Sequence, residues 1–270
     1  MHTLFHRRSL RKKVASVDFW WHSIDLGQGV VTPGFKRPEV LEDELAKLQL
    51  PVLNGKTVLD IGAWDGFFSF EAERRGAQRV VALDHYSWML DLGAQQRYIA
   101  GVRAGRIQPR PYHEVPELWK PETLPEKKGF DVAKEALDSD VQSAVRDFHE
   151  GDLTDLEAFD VVLYLGVLYR LEDPLRGLRR VAQVTAETAI IESEAVFLRD
   201  REDHAFCQFY RGAELNDDPT NWWVPNLRAF QDRCLAAGFD RAEPVTGPPP
   251  VVIDSSAPMP HYRAVVHAHK

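Results

Sequence analysis

Short apolar runs and helix-like patterns alternate along the chain. Residues 58–61 form an apolar run that is too short for a helix, and residues 80–83 repeat it. Between these runs, residues 67–75 carry an apolar face and are followed by Gly76, the residue type that commonly ends a helix. The order of strand, helix and strand predicts a crossover unit with two parallel buried strands.

The same two patterns continue through the rest of the chain. Further buried strands are predicted at 141–148, 159–168 and 189–193, and two antiparallel strands at 241–246 and 262–269. Helices are predicted at 38–48, 89–100, 130–137, 174–184 and 227–237. Together they predict an α/β fold: a Rossmann-like, mostly parallel sheet of seven strands, with a C-terminal antiparallel strand pair and helices on both faces.

The length favours a single large domain. With 270 residues, the chain can bury one large core and does not require a second independent domain. We expect residues 1–50 to form an N-terminal lead-in that caps the substrate side, and residues 51–270 to form the main domain. Residues 86–128 form an insertion in it that is rich in proline and aromatic residues. Such a long connection is typical of a functional lid or of a disordered segment, and we favour a lid over the acceptor.

The composition favours a soluble cytoplasmic protein. Its two cysteines, Cys207 and Cys234, lack the spacing of a metal or redox site. No apolar run reaches the roughly 18 residues that a membrane span needs, and the N-terminus lacks the core of a signal peptide. We therefore expect no membrane contact and no metal.

The charge pattern combines an acidic whole with one basic cluster. A net charge of -8 argues against a broad nucleic-acid surface, because phosphate contacts dominate such binding. The exception lies near the N-terminus, where no acid separates Arg7, Arg8, Arg11, Lys12 and Lys13. This cluster is either a solvated terminal segment or a phosphate-binding one.

The turn after the first strand has the pattern Asp60-x-Gly62-x-x-x-Gly66, with Trp64 and Asp65 inside it. A dinucleotide-binding turn has the pattern G-x-G-x-x-G, which lets backbone amides close on a pyrophosphate. Acids and an indole suit instead a cofactor with an adenosine, no phosphate and a cationic amino-acid head. S-adenosylmethionine is such a molecule. The alternative is a plain strand, turn and helix with a nicotinamide cofactor or none.

Further cofactor contacts are expected at the carboxyl ends of the strands, where open parallel sheets bind their ligands. Asp84 ends the second strand about 20 residues past the turn, where an acid commonly binds the ribose hydroxyls. Asp152 could accept from the adenine amino group, with Leu153 against the ring, or it could be an ordinary turn acid. The predicted cofactor contacts are Asp60, Gly62, Ala63, Trp64, Asp84, His85, Asp152, Leu153, Leu165 and Gly166.

The candidate catalytic residues are His22, Tyr169 and Arg170. His22 follows an aromatic run and could remove a proton from the acceptor, or it could only bind a neighbouring backbone carbonyl. Tyr169 is expected to orient the acceptor. Arg170 is expected to bind an acidic substituent or to lower the pKa of a hydroxyl group.

Residues expected to bind the acceptor come from the N-terminal lead-in, from the end of a strand and from the segment 221–226. Glu192 follows a strand and could orient the acceptor or cap a loop. The group 221–226 could bind a carbohydrate or a planar ring, or its tryptophans could hold a loop on the sheet. The predicted acceptor contacts are Trp21, Glu192, Asn221, Trp222, Trp223 and Asn226.

Four segments carry a resemblance to a known family: HSIDLG, VLDIGAWDGFFSFEAERRGA, FDVVLYLGVLYRLEDPL, and WWVPN before a helix that ends in GF. With them the chain resembles the class I S-adenosylmethionine-dependent methyltransferases over nearly its whole length from Val58. Within that class it is most similar to the group typified by the tRNA wobble-uridine (5-carboxymethoxyuridine-forming) methyltransferases. The resemblance implies the class I fold, S-adenosylmethionine as the cofactor, contacts from Gly62, Asp84 and Asp152, and Tyr169 at the reacting end.

The chain departs from that group at two motif positions. Arg170 stands where the group has histidine, and Trp64 stands where many methyltransferases have glycine. The lysine that holds a carboxylated cofactor in the tRNA enzymes has no equivalent that we identify. We therefore expect O-methylation of a hydroxyl group on a small molecule or glycan. The alternatives are methylation of the wobble uridine of tRNA and a cofactor-binding module without catalysis.

Overall fold

The computed structural model describes residues 2–108, 110–216 and 218–270. Its helices are α1 (His2–Ala15), α2 (Pro38–Leu48), α3 (Phe67–Arg74), α4 (Tyr86–Met89), α5 (Leu92–Arg103), α6 (Lys127–Leu137), α7 (Pro174–Gln183), α8 (Leu227–Ala236) and α9 (Pro250–Ile253). Its strands are β1 (Thr57–Ile61), β2 (Arg79–Asp84), β3 (Gln142–Val145), β4 (Phe159–Leu165), β5 (Thr185–Val196), β6 (Cys207–Phe209), β7 (Trp223–Pro225), β8 (Arg241–Thr246) and β9 (His261–His269). Short 3₁₀ turns occupy Tyr112–Glu114 and Leu168–Arg170.

The main sheet has seven strands in the order β3, β2, β1, β4, β5, β9, β8. The strands β1, β4 and β5 pair in parallel, and so do β2 and β3. The strand β9 runs antiparallel to both of its neighbours, β5 and β8. The predicted mostly parallel seven-stranded sheet with an antiparallel C-terminal pair is therefore confirmed. A small antiparallel sheet of β6 and β7 was not predicted.

The chain divides into two compact units. The first unit comprises Met1–Asp43, Gly62–Arg74 and Arg79–Asp147, and the second comprises Glu44–Ile61, Arg75–Gln78 and Phe148–Lys270. The first unit contains β2 and β3, and the second contains the other strands of the main sheet. The expectation of a lead-in at 1–50 and a main domain at 51–270 stays a prediction.

The insertion at 86–128 is ordered over its described residues and has a core of its own. Its buried apolar residues include Leu90, Leu92, Tyr112, Val115 and Leu118. Partly buried aromatic rings of the first unit pack against this core, among them those of Phe19, Trp64, Tyr98 and Trp119. Burial of this apolar surface is what orders the segment. Its role as a lid stays a prediction.

The second unit is built around the pairing of β5 with β9. The strand β5 extends well beyond the predicted range 189–193, because its residues pair continuously with β9 from Thr188 opposite His269 to Val196 opposite His261. Central side chains of the adjoining strands are fully buried, including Phe159, Leu163 and Tyr164. The pairing of β5 with β9 places Glu194 opposite Arg263, and the pairing of β4 with β5 places Glu192 opposite Leu165.

Candidate functional site

The glycine turn of the first unit has the backbone geometry that its residue types predict. Gly62 and Gly66 both have a positive φ, at 85° and 87°. At Gly66 a Cβ would lie 2.6 Å from the ring of Phe70 and 2.7 Å from that of Phe130, so close packing also requires glycine there. The amide of Gly62 donates to the carbonyl of Leu83, which ties the turn to the end of β2. The turn is therefore a fixed backbone loop beside that strand end.

Trp64 also has a positive φ, 49°, which is rare for a bulky residue and strained. Three contacts hold it in place. Its amide donates to Asp84 at 2.9 Å, its carbonyl accepts from the indole of Trp88 at 2.6 Å, and its ring stacks on Trp21. Trp64 thus takes the left-handed backbone position that glycine fills in many methyltransferases and adds a side chain to it.

Asp84 is buried at the end of β2, where an acid was predicted. One carboxylate oxygen accepts the amide of Trp64 and the other accepts the amide of Ser87, both at 2.9 Å. Burial raises the pKa of Asp84, and these two amides partly oppose that rise. The His85 amide and the Ser87 side chain also bind this carboxylate and oppose the rise. The carboxylate therefore fixes the turn, and its contact with the ribose stays a prediction.

His22 pairs with the acid inside the turn. Its Nδ1 lies 2.5 Å from Oδ1 of Asp65, and both side chains are nearly fully buried. The other oxygen of Asp65 accepts the backbone amides of Trp21, at 3.0 Å, and of His22, at 2.8 Å. The imidazole also stacks on Phe67, with ring centroids 5.3 Å apart. Asp65 thus fixes both the backbone and the ring of His22, and the predicted contact with a backbone carbonyl is replaced by one with a carboxylate.

A second cluster lies in the second unit, after β4. Gly166 has a positive φ of 72°, and a Cβ there would be in ordinary contact, at 3.6 to 3.9 Å, with the polar ends of Tyr169, Glu192 and Arg263. Arg263 binds Glu192 through two nitrogens and Glu194 at 3.2 Å. The structure therefore brings three predicted residues together with an arginine that was not predicted.

The ring of Tyr169 contacts two guanidinium groups. The carbon of the Arg263 guanidinium is 5.0 Å from the ring centroid, and that of Arg170 is 5.2 Å away. Burial acts to lower the pKa of Arg263, but Glu192, Tyr169 and Glu194 more than offset it and the pKa is raised. Arg263 is therefore a permanent cation in this cluster.

Arg170 is engaged by neighbouring polar side chains. Its Nη1 donates to Asp218 at 2.7 Å and to Thr220 at 2.9 Å, and its side chain is 38% exposed. Its predicted role toward an acidic substituent stays a prediction. Arg170 is already paired with the carboxylate of Asp218, so an acidic acceptor would have to compete with Asp218 for the guanidinium.

The predicted acceptor contacts at 221–226 mainly support the local fold. Asn226 caps α8 by accepting the amide of Ala229, and it also binds Phe206 and His204. The indole of Trp223 donates to the carbonyl of Glu172. The amide of Asn221 donates to the carbonyl of Leu215, while its own side-chain oxygen is buried without a hydrogen bond. The backbone amide of Trp222 donates to the carbonyl of Tyr169. These contacts favour the loop-holding alternative, and acceptor binding stays a prediction.

The remaining predicted cofactor contacts lie in both units. In the first unit Ala63 is buried, and His85 packs edge-on against Trp119. In the second, Asp60 is buried in β1, whereas Asp152 is exposed and accepts the amide of Thr154 as a turn acid does. Leu153 and Leu165 are half-buried. The contacts of all these residues with the cofactor stay predictions.

Sequence reasoning missed three charged residues of the site. Asp65 was noted inside the turn without a partner, because His22 lies 43 positions away. Glu194 and Arg263 were not identified, although each interrupts an apolar strand with a charge. A charge on a buried strand is costly unless it is paired, and that signal could have suggested that the two belong together.

Two searches of the described part of the chain were negative. No cluster of three or more His, Cys, Asp or Glu side chains among the described residues could hold a metal ion. Within the same residues, no helix has the length and apolar character needed to cross a membrane.

Known proteins resemble this chain in both sequence and fold. Two tRNA U34 carboxymethyltransferases match it over 195 residues, which is 69% of this chain and 46% of theirs. The one from Pseudomonas paraeruginosa (strain DSM 24068 / PA7) is 25% identical. The one from Pseudomonas aeruginosa (strain LESB58) is 26% identical. The chain thus spans about half the length of the curated relatives it matches. They belong to the group indicated by the motifs.

Two solved structures share the fold. The N-terminal domain of EvdMO1, crystallised in the presence of SAH and D-fucose, has a TM-score of 0.61 at 14% identity, over 97% of this chain and 96% of that one. An O-methyltransferase family protein from Burkholderia thailandensis has a TM-score of 0.51 at 11% identity, over 86% of this chain and 56% of that one. At such identities the likeness concerns the fold alone.

The family assignment rests on the largest match. A family model described as a methyltransferase domain matches residues 35–243, well over half of the chain. The predicted fold and cofactor class are therefore confirmed, and the chain belongs to the methyltransferase-domain family, within the class I methyltransferases that use S-adenosylmethionine.

Proposed function

We propose that the protein transfers the methyl group of S-adenosylmethionine to a hydroxyl group of a small molecule or sugar. The observation that carries this proposal is the hydrogen bond of 2.5 Å between Nδ1 of His22 and Oδ1 of Asp65, beside the glycine turn. Neutral hydroxyls are weak nucleophiles, so O-methylation benefits from a positioned base. A histidine oriented by a buried carboxylate is such a base.

The residues of the turn fit the cofactor. Gly62 is exposed, with no side chain to obstruct an approach, and Asp84 places a carboxylate at the end of β2 beside it. S-adenosylmethionine, when bound, supplies a methyl group that is activated by the positive sulfur. Gly62, Trp64 and Asp84 are the residues of the first unit that would hold it. The acid-rich surroundings also suit its two positive charges.

The histidine would act through its second nitrogen. With Nδ1–H donated to Asp65, the tautomer leaves a lone pair on Nε2, which would take the hydroxyl proton as the oxygen attacks the methyl carbon. The imidazolium that forms is stabilised by the same carboxylate. None of the described residues forms a hydrogen bond with Nε2 of His22. This nitrogen can therefore meet the acceptor without a movement of the ring. Most of the remaining rate enhancement would come from holding the two reactants in line.

A sugar hydroxyl is one candidate acceptor. The crystal structure of the EvdMO1 N-terminal domain, which shares the fold over 97% of this chain, was determined in the presence of D-fucose. In the second unit, the cluster of Glu192, Arg263 and Tyr169 offers carboxylate, guanidinium and phenol groups beside Gly166. Groups of this kind bind hydroxyl-rich molecules through several hydrogen bonds. Both observations support a hydroxylated acceptor.

The experiment uses isotopically labelled S-adenosylmethionine with a panel of sugars and phenols, and mass spectrometry of the products. His22→Gln keeps a donor for Asp65 but removes the base, so we expect kcat to fall by about 100-fold to 10,000-fold. Calorimetry with S-adenosylhomocysteine should show unchanged affinity. The matched control is His204→Gln, because His204 pairs with Asp203 at 2.8 Å but is exposed. Unchanged turnover in His22→Gln would refute the assigned role.

A second candidate function is methylation of the wobble uridine of tRNA. The names of the curated relatives favour it, and so do the exposed side chains of Arg8, Arg11 and Lys12 on α1. Two other members of the basic cluster are used internally, since Arg7 binds the carbonyl of Gly29 and Lys13 binds Glu135. The test is binding of unmodified tRNA at several salt concentrations. Binding that weakens steeply with salt, and weakens further when the three exposed residues become alanine, would support this function.

A further inference from the structure

Three aromatic rings of the first unit form a nearly parallel stack. Trp64 and Trp21 have ring centroids 4.9 Å apart with an interplanar angle of 6°, and Trp21 and Phe35 are 5.1 Å apart at 13°. The stack begins in the glycine turn, with Trp64. It ends at Phe35, which is 71% exposed. The outer face of that ring is therefore open to a ligand.

Main-chain contacts hold Phe35 in this exposed position. Its amide donates to the carbonyl of Trp20 at 2.9 Å, and the next amide, that of Lys36, donates to Trp21 at 2.8 Å. At Gly34 a Cβ would lie 2.1 Å from the carbonyl carbon of His22, so only glycine allows this approach of the two segments. The ring is thus presented by a fixed backbone rather than by a loose loop.

The stack is continuous with the proposed base. Lys36 forms a parallel bridge with His22, and the ring of Trp21 meets the imidazole edge-on at 6.5 Å. The Nζ of Lys36 lies 5.7 Å from the centroid of the Trp21 ring. A ligand that stacks on Phe35 would therefore lie on the segment that carries His22.

We infer that Phe35 is a stacking site for a planar aromatic ring of the acceptor. A stack of parallel aromatic rings is extended best by another flat aromatic ring, whereas a saturated ring gains only apolar contact. The inference rests on the proposed function and narrows its substrate class from any hydroxyl compound to one with an aromatic part. The acceptor contacts predicted from the sequence include Trp21 but not Phe35.

The test measures binding of 1-naphthyl phosphate by calorimetry, with the protein saturated with S-adenosylhomocysteine so that the adenosine site is filled. Cyclohexyl phosphate is the matched probe, since it has the charge but a saturated ring. We expect 1-naphthyl phosphate to bind more tightly than cyclohexyl phosphate. Phe35→Ala should weaken it about tenfold, in the range found for rings stacked on aromatic side chains, and Phe35→Trp should restore it.

Four outcomes would overturn the inference. They are equal binding of the two probes, unchanged binding in Phe35→Ala, a loss seen in Phe209→Ala instead, and a change of oligomeric state in Phe35→Ala by light scattering. Phe209 is the comparison because it is also exposed, at 45%, but meets Trp223 at a tilt of 51°. The proposed function fails separately: methyl transfer would then be absent from every hydroxyl acceptor although the aromatic probe binds.

Discussion

Glu126 is a buried carboxylate of the first unit, and its ionisation should destabilise the protein as the pH rises. The residue is 5% exposed, and within the described part of the chain it accepts one long hydrogen bond, 3.4 Å, from the amide of Leu92. Burial raises the pKa of Glu126 from 4.5 to about 7, with the Leu92 amide opposing the rise and the carboxylates of Asp18 and Asp91 adding to it. The charged form is therefore the unfavourable one.

The sign of the effect follows from proton linkage. The folded protein holds this proton more tightly than the unfolded chain, so the contribution to stability is fully present below pH 4.5 and is lost as the pH rises through about 7. Each unit of difference between the pKa of the folded protein and that of the unfolded chain corresponds to about 1.4 kcal/mol in the free energy of unfolding. Between 4.5 and about 7 the free energy of unfolding should thus fall by about 3 kcal/mol because of Glu126.

Glu126→Gln removes the titration and keeps the shape of the side chain. Its amide oxygen can still accept from Leu92, and its NH₂ group can donate to the neighbouring carboxylates. In urea unfolding at about pH 8.5 we expect the variant to be more stable than the parent by about 3 kcal/mol, with little difference at about pH 5. The control is Glu122→Gln, an exposed position of the same insertion, where no pH-dependent difference is expected. A stability difference that is the same at both pH values would refute the reasoning.

Three further substitutions test individual contacts. Asp84→Asn removes a charge that accepts two backbone amides, so calorimetry should show at least about tenfold weaker binding of S-adenosylhomocysteine, and equal affinity would remove Asp84 from the cofactor site. Arg263→Met leaves Glu192 and Glu194 without their cation, which should lower the free energy of unfolding in urea by about 2 to 4 kcal/mol. The control is the exposed ion pair of Arg241 with Glu243, where Arg241→Met should lower the free energy of unfolding by under about 1 kcal/mol. Equal losses in the two variants would contradict a stabilising role for the Arg263 ion pairs. Asn226→Ala removes the α8 cap and should cost about 1 to 2 kcal/mol in the same assay, while an unchanged midpoint would show that the cap contributes nothing.

The sequence predicted the sheet well because buried parallel strands are continuous apolar runs. The strands β1, β2 and β4 were placed within a few residues of their observed ends for this reason. The helix α6 begins at Lys127, before the predicted start at 130, because the amphipathic side chain of Lys127 packs over the rings of Trp88 and Phe130. A polar residue that covers an aromatic surface looks like a loop residue in the sequence.

Long-range charge pairs account for most of what sequence reasoning missed. Glu192 and Glu194 made the end of β5 look polar, so the strand was predicted to stop at 193, but both acids are paired with Arg263 about 70 positions later. The helix α1 was missed because its sequence carries few apolar residues, and Lys13 joins it to Glu135 of α6. Spacing along the chain does not reveal partners at such separations.

The two acids of the glycine turn have a structural task in addition to their proposed chemical one. Asp84 holds the amides of Trp64 and Ser87, and Asp65 holds those of Trp21 and His22. Removing either acid leaves buried amides unpaired, so a loss of activity there would not separate catalysis from folding.

His22 and Phe35 give cleaner evidence, because neither side chain holds a backbone amide. His22→Gln keeps a donor for Asp65, and Phe35 is largely exposed and makes its main-chain bonds through atoms that alanine and tryptophan keep. A change of side chain at either position should leave the backbone in place. The effect on turnover at His22 and on ring binding at Phe35 can then be assigned to the side chain itself, which makes these two positions the decisive ones.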